Sequence, residues 1–323
     1  MSRRLLSVLQ IIITCCLLYY LVRKVDLRAS LAIIKQVNFF LLVLSAVIFV
    51  FFLLVGAWRW KILLDARKIN FSMMYLTKVY FISWFFNNIL PTSIGGDVVR
   101  IAYTVQSDNS SGKKTTSPAF AAVFVDRFIG FIGLFFFALL AATVLFLTQK
   151  SQKQYLLLNF LGFVILMTIL LAVFSDNVHR IFSKIFSKIK AFRLGEKFDR
   201  AYTEVKEYRE VKLKLIVSFL LSLLVQLLSS FIWYFVGISI SVKISLLYYC
   251  LFIPIIGILT MIPITVGGLG MRENMFVNIF NSVANVSKEK ATAISGLYLI
   301  INLLFALIGG VMFLFVKKLK NNP

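Results

Sequence analysis

Apolar residues fall in long runs at about 5–22, 39–58, 71–90, 119–148, 155–174, 213–240, 244–262 and 292–316, separated by short polar and basic stretches. Runs of about 20 apolar residues are long enough to cross a ~30 Å hydrocarbon core as helices. The pattern therefore predicts an all-α polytopic membrane protein. The run 119–148 exceeds one crossing and is expected to tilt or project. Two runs are less regular. Segment 71–90 holds Lys78 and runs out through Asn87, Asn88 and Pro91, and 244–262 is interrupted by Pro254 and Gly257.

Two polar stretches stand out between the runs. Residues 105–118, with Asp108, Asn109, Ser110, Ser111, Gly112, Lys113 and Lys114, read as a flexible exposed loop. In 175–212, Ile181, Phe182, Ile185, Phe186, Ile189 and Phe192 recur at helical spacing, with Arg180, Lys184 and Lys188 off that face. This predicts a cytoplasmic basic amphipathic segment. It either lies on an anionic membrane surface or covers the protein's own cytoplasmic end.

Composition sharpens the membrane reading. Of 323 residues, 60% are hydrophobic and the mean hydropathy is +0.91, more apolar surface than a soluble core needs. Lys and Arg number 35 against 13 Asp and Glu, a net charge of +22. These cations cluster in the short segments between runs, where they set orientation and meet anionic headgroups, so no nucleic-acid partner is expected. Cys15, Cys16 and Cys250 lie inside apolar runs and read as small hydrophobes, and His179 is the only histidine. No metal, cofactor or catalytic constellation is expected. The N-terminus resembles a signal peptide without a small-residue cleavage site, which favours a retained first helix.

The most informative feature is an internal repeat. Pro91 to Arg100 and Pro263 to Arg272 both read P-x-x-x-G-G-x-x-x-R, 172 residues apart, in a chain with only 5 Pro and 16 Gly. The same offset carries 39–58 onto 211–230, 71–90 onto 243–262 and 119–148 onto 291–320. The expectation is a single transmembrane domain, 1–323, with repeat 1 at about 39–148 and repeat 2 at about 211–320.

Charge suggests how the copies are related. If 71–90 and 244–262 crossed fully, the basic loops 59–70 and 175–214 would fall on opposite sides, against the positive-inside rule. If both are instead re-entrant or broken helices, 23 Lys and Arg lie inside, together with the N- and C-termini, and the copies are inverted. The loop 23–38, with Arg23, Lys24, Arg28 and Lys35, runs against this scheme. The arrangement has about six full crossings plus two broken elements, a known transporter construction in which substrate sites form where the broken elements meet.

Proline ends a helix, paired glycines permit a tight turn with bare amides, and a helix starting at Gly96 or Gly268 points its positive end at the turn. With an arginine about one turn further on, the motif suits phosphate or carboxylate. The candidate substrate-binding residues are Gly95, Gly96, Arg100, Gly267, Gly268 and Arg272. The alternative is a kinked helix whose arginine reaches the surface. Asp97, Asp126, Arg127 and Glu273 are candidates for gating or charge balance, because charges inside a membrane usually face a cavity or a partner. Asp126 and Arg127 are both placed to pair with partners near the first motif, and the alternative for the two is an ion pair at the interface. Asn87 and Asn88 would contact a headgroup or satisfy broken backbone.

Asn88-Ile89-Leu90-Pro91 leading to Gly95-Gly96-Asp97 and Arg100, Val125-Asp126-Arg127, and Ile262-Pro263 followed by Gly267-Gly268-Leu269-Gly270-Met271-Arg272-Glu273 resemble the lysylphosphatidylglycerol synthase transmembrane family, also called flippase-like membrane proteins. The resemblance covers nearly the whole chain; at Gly96-Asp97 the family usually has Gly followed by Glu. It implies movement of an anionic or aminoacylated phospholipid, or of a polyprenyl-linked lipid, between leaflets of a cell (inner) membrane. Bifunctional members add a soluble aminoacyl-transferase domain. This chain ends at Pro323, just after its last membrane segment, so lysyl transfer is not expected of it. The competing readings are a membrane-embedded lipid-headgroup synthase with Asp97, Asp126 or Glu273 as base, and a non-catalytic partner that docks a separate transferase through 175–214.

Overall fold

The computed structural model describes residues 3–90, 95–108, 116–149, 153–173 and 203–316. Among these residues there are eleven α-helices and no strand. In order they are α1 (Arg3–Lys24), α2 (Leu27–Lys35), α3 (Phe39–Ala66), α4 (Met73–Ile89), α5 (Gly95–Asp108) and α6 (Thr116–Gln149). Then follow α7 (Lys153–Val173), α8 (Lys212–Ser239), α9 (Leu246–Met261), α10 (Met271–Ala284) and α11 (Lys288–Val316). Helices satisfy every backbone group within one segment, which is what a solvent without hydrogen bonds demands. The long apolar runs therefore become α3, α6, α8 and α11, each long and apolar enough to cross a membrane. α1 and α7, of 22 and 21 residues, have comparable length but carry shorter apolar stretches, Ile12–Leu21 and Leu156–Ile165.

Each less regular run is one short helix, α4 or α9, that forms a hairpin only with the helix after it; α9 runs through Pro254 and Gly257 without a break, because its bonding continues on either side of the proline. α4 has 17 residues and α5 has 14; α9 has 16 and α10 has 14, so every leg falls short of the ~20 residues a full crossing takes. α5 returns beside α4: Gly96 donates its N–H to Asn87 Oδ1 at 2.8 Å near the turn, and Tyr75 donates to the Tyr103 carbonyl toward the other end. α10 returns beside α9 likewise, with Gly268 against Thr260 and Phe280 against Phe252. The repeat is thus four helices long, with lengths 28, 17, 14 and 34 recurring as 28, 16, 14 and 29.

Packing along α11 fixes the hands of the hairpins. α10 is antiparallel to α11, because a short connection joins one pair of ends while Arg272 lies over Tyr298 farther along. α4 is antiparallel to α11 too, with Asn88 beside Asn302 and Phe81 beside Gly309. Since α9 is antiparallel to α10, the first legs α4 and α9 point in opposite directions. The hairpins enter from opposite faces, as an inverted repeat requires.

The chain forms two compact units, Met1–Leu54 with Lys78–Val99 and Val225–Pro323, and Val55–Thr77 with Arg100–Leu224. It passes from one to the other within α3, α4, α5 and α8. In the first unit Phe49 stacks on Phe305 at 4.8 Å, and Trp233 lies between Tyr298 at 3.9 Å and Phe276 at 4.5 Å. There too α2, capped by Asp26, packs along α11, with Ser30 donating to the Glu289 carbonyl. In the second unit α7 packs on α6, and Phe136 meets both Phe163 and Phe219. At its polar end buried Tyr208 donates to the Leu63 carbonyl, and Arg67 pairs with Glu204 and Glu207.

Residues 105–108 and 116–118, expected in a flexible loop, extend α5 and α6 instead, because the return leg of the hairpin continues past the apolar run. The amphipathic stretch 180–192 lies outside the described residues.

Candidate functional site

The two hairpin tips meet in the first unit. A methyl group on Gly267 would stand 2.6 Å from the Asn88 carbonyl oxygen, so the second Pro–Gly turn rests directly on the end of α4. Gly267 has φ 57°, a left-handed conformation that glycine adopts without penalty. A methyl group on Gly96 would stand 2.4 Å from the Ser83 carbonyl, so the start of α5 lies in direct backbone contact with α4. Beside the tips, Asn302 donates from Nδ2 to Asn88 Oδ1 at 2.6 Å, while its Oδ1 accepts from Trp84 Nε1 at 3.1 Å. Asn302 is the fifteenth of the 29 residues of α11, so the tips lie halfway along a crossing helix.

The first motif arginine belongs to the second unit. Arg100 donates from one terminal nitrogen to Asp126 Oδ2 at 2.9 Å and lies over the Trp60 ring at 4.5 Å. Arg59 takes the other carboxylate oxygen at 2.7 Å and also donates to Ser222 Oγ at 2.9 Å. All three charged groups are buried; Asp126 is 1% exposed. Two guanidinium groups on one carboxylate supply the charge-assisted bonds that make such burial tolerable. This network ties α3, α5, α6 and α8 together.

The second motif arginine is held differently. Arg272 donates from Nε and one terminal nitrogen to Oε1 of its neighbour Glu273, at 3.0 and 2.7 Å, and lies over the Tyr298 ring at 5.0 Å. Glu273 Oε2 accepts the Gly270 N–H at 2.7 Å and so closes the helix start. Offset by 172, Asp126 and Tyr298 are equivalent positions. In repeat 1 the anion comes from the next crossing helix; in repeat 2 it comes from the arginine's own helix.

The structure thus joins Gly95, Gly96, Gly267 and Gly268 to one pair of touching tips, and pairs Arg100 with Asp126 and Arg272 with Glu273. Asp126 pairs with Arg59 and Arg100 rather than Arg127, which follows it half-buried on α6; Asp97 is buried in the first turn of α5. Helix α10 starts at Met271, not at Gly268, because Gly267, Gly268 and Gly270 all have positive φ and keep the turn open longer. Arg272 is consequently the second residue of its helix and Arg100 the sixth of its own. Asn87 serves broken backbone, accepting from Gly96, and Asn88 donates to the Trp84 carbonyl. Sequence reasoning passed over Arg59, which lies in α3 seven residues before its end, and Asn302. The signal for Asn302 was there: a lone amide in an apolar run needs a partner.

Long apolar helices, two short helical hairpins and no strand among the described residues define an all-α polytopic membrane protein. The sequence pattern of the lysylphosphatidylglycerol synthase TM region matches residues 7–310, and the chain belongs to that family. It is also similar to a UPF0104 membrane protein of Pyrococcus horikoshii, with 26% identity covering 99% of this chain and 98% of that one.

Proposed function

We propose that this protein moves a lipid with an anionic or aminoacylated headgroup, a phospholipid or a polyprenyl-linked lipid, between leaflets of the cell membrane. The headgroup passes the touching hairpin tips while the acyl chains stay in the bilayer. The observation that carries this reading is the meeting of Gly267 with the Asn88 carbonyl, halfway along α11, between hairpins that enter from opposite faces. Broken elements meeting at mid-depth are where transporters of this construction hold polar cargo.

Each unit contributes its own motif cation, Arg272 in the first and Arg100 in the second, with Glu273 and Asp126 holding them until a phosphate competes. Gly95, Gly96, Gly267 and Gly268 let the backbone approach the headgroup. Asp97 in the first unit and Arg127 in the second serve charge balance. The distribution of Lys and Arg favours a cytoplasmic position for both termini. A headgroup synthase would need a carboxylate free to act as base, whereas Asp126 and Glu273 both accept from arginine, which favours transport.

The test is headgroup translocation in reconstituted vesicles containing a labelled phosphatidylglycerol. Arg100→Ala and Arg272→Ala are expected to abolish it, and Arg272→Lys, which keeps the charge but loses the two-pronged geometry, to slow it. Wild-type rates in both alanine variants would defeat the proposal, provided each variant elutes as a folded protein in detergent.

A further inference from the structure

We infer that α1 is a positioning element for the second Pro–Gly turn, acting through Gln10, Thr14 and the carbonyl of Leu17. The turn from Pro263 to Gly270 holds only a single short 3-10 turn, Val266–Gly268, yet it sits within a membrane protein where bare backbone polar groups are costly. Two of its groups are bonded directly by α1, and a third shares its donor, Asn274 of α10, with α1. Gln10 Nε2 donates to the Pro263 carbonyl at 2.7 Å. The Val266 N–H donates to Thr14 Oγ1 at 3.1 Å, and that hydroxyl spends its own proton on the Gln10 carbonyl at 2.8 Å. Asn274 donates from Nδ2 both to the Gly270 carbonyl at 2.7 Å and to the Leu17 carbonyl at 2.9 Å.

Gln10, Thr14 and Leu17 are spaced four and three apart, so they line one face of α1. Gln10 and Thr14 are buried, while Ile12, Cys15, Cys16, Tyr19 and Tyr20 are exposed on the rest of the helix. A methyl group on Gly270 would stand 3.2 Å from the Thr14 carbonyl, so helix and turn are in direct backbone contact. The polar face of α1 is thus spent on the turn. It holds three left-handed glycines in register against α4, and it decides which turn amides face a headgroup. The functional half of this inference rests on the proposed transport path; the positional half does not.

Thr14→Val keeps the shape of the side chain and removes the acceptor, and Thr14→Ser restores it. In the purified full-length chain, hydrogen exchange of the peptide spanning 262–270 is expected to quicken about tenfold in Thr14→Val, the scale of one lost hydrogen bond, and to return to the wild-type rate in Thr14→Ser. Translocation of labelled phosphatidylglycerol should fall and recover in parallel. Asn274→Leu cuts the link from the other side and should quicken the same peptide, which covers the case in which Thr14→Val does not insert. Unchanged exchange in either folded variant overturns the inference. Faster exchange together with a wild-type protein that moves no lipid leaves α1 as the support of the turn and removes the transport reading alone.

Discussion

Asp126 and Tyr298 hold equivalent places in the two repeats, and each meets the motif arginine of its own copy. Asp126 takes Arg100 as an ion pair at 2.9 Å, and Tyr298 offers Arg272 the face of its ring at 5.0 Å. One architecture therefore solves the same problem twice, a guanidinium placed inside a membrane, with a carboxylate across helices in one copy and an aromatic face plus an adjacent glutamate in the other. The consequence is unequal reliance on the acid. Repeat 1 binds four helices through its carboxylate, whereas repeat 2 binds its glutamate within one helix turn.

Asp126→Asn should therefore be the more damaging of the two charge removals. It strands Arg59 and Arg100 together in a buried place, at a cost of about 3–5 kcal/mol. Glu273→Gln leaves Arg272 stacked on Tyr298 and should cost clearly less. Thermal unfolding of both variants in the same detergent compares them, and an equal loss would contradict the asymmetry.

Gly267→Ala adds a methyl group at φ 57° against the Asn88 carbonyl. The left-handed conformation alone costs about 1–2 kcal/mol, and the contact must open as well. Gly296→Ala in α11 meets nothing within 4 Å and should be neutral or slightly stabilising. Melting temperatures of the pair separate a specific contact from general sensitivity to glycine loss.

Asn302→Leu removes both bonds that connect α11 to α4, leaving Trp84 Nε1 and Asn88 Oδ1 to find other partners. Side-chain hydrogen bonds between membrane helices contribute about 0.6–2 kcal/mol each. We expect a modest loss of stability and a larger loss of headgroup translocation, because the change falls at the tips. A variant with full transport would remove Asn302 from the path.

Burial pushes the Tyr208 phenol well above its ordinary range, against a smaller opposing pull from Arg67. The unfolded phenol ionises near pH 10, so the fold keeps a proton that the unfolded chain releases. The contribution of Tyr208 to stability is whole below about pH 10 and declines as the pH rises above it. Tyr208→Phe should be less stable than wild type at pH 8, lacking the bond to the Leu63 carbonyl, with the gap narrowing above pH 10. A gap that widens with alkaline pH contradicts the assignment.

The membrane class, the duplication and the broken elements were legible because hydropathy and the proline–glycine spacing are written along the chain. Inversion could be read from the basic loops before any contact was known, and the packing of α4 and α10 on α11 agrees with it. What could not be read were the partners. Nothing in the neighbourhood of Asp126 says that Arg59, 67 residues earlier, takes one of its oxygens. Arg59 itself sits just beyond the apolar run, where a surface loop was the simpler expectation. The start of α10 was misplaced by three residues because the third glycine, Gly270, extends the turn, and spacing alone gives it no more weight than its neighbours.

Because the tips stand halfway along α11, a charge that reached them would have traversed about half of the transmembrane voltage. That corresponds to roughly half of the ~2.3 kcal/mol per unit charge per 100 mV felt across the full membrane. Polarisation would then act on a singly charged cargo resting between the hairpins and leave a zwitterionic one untouched.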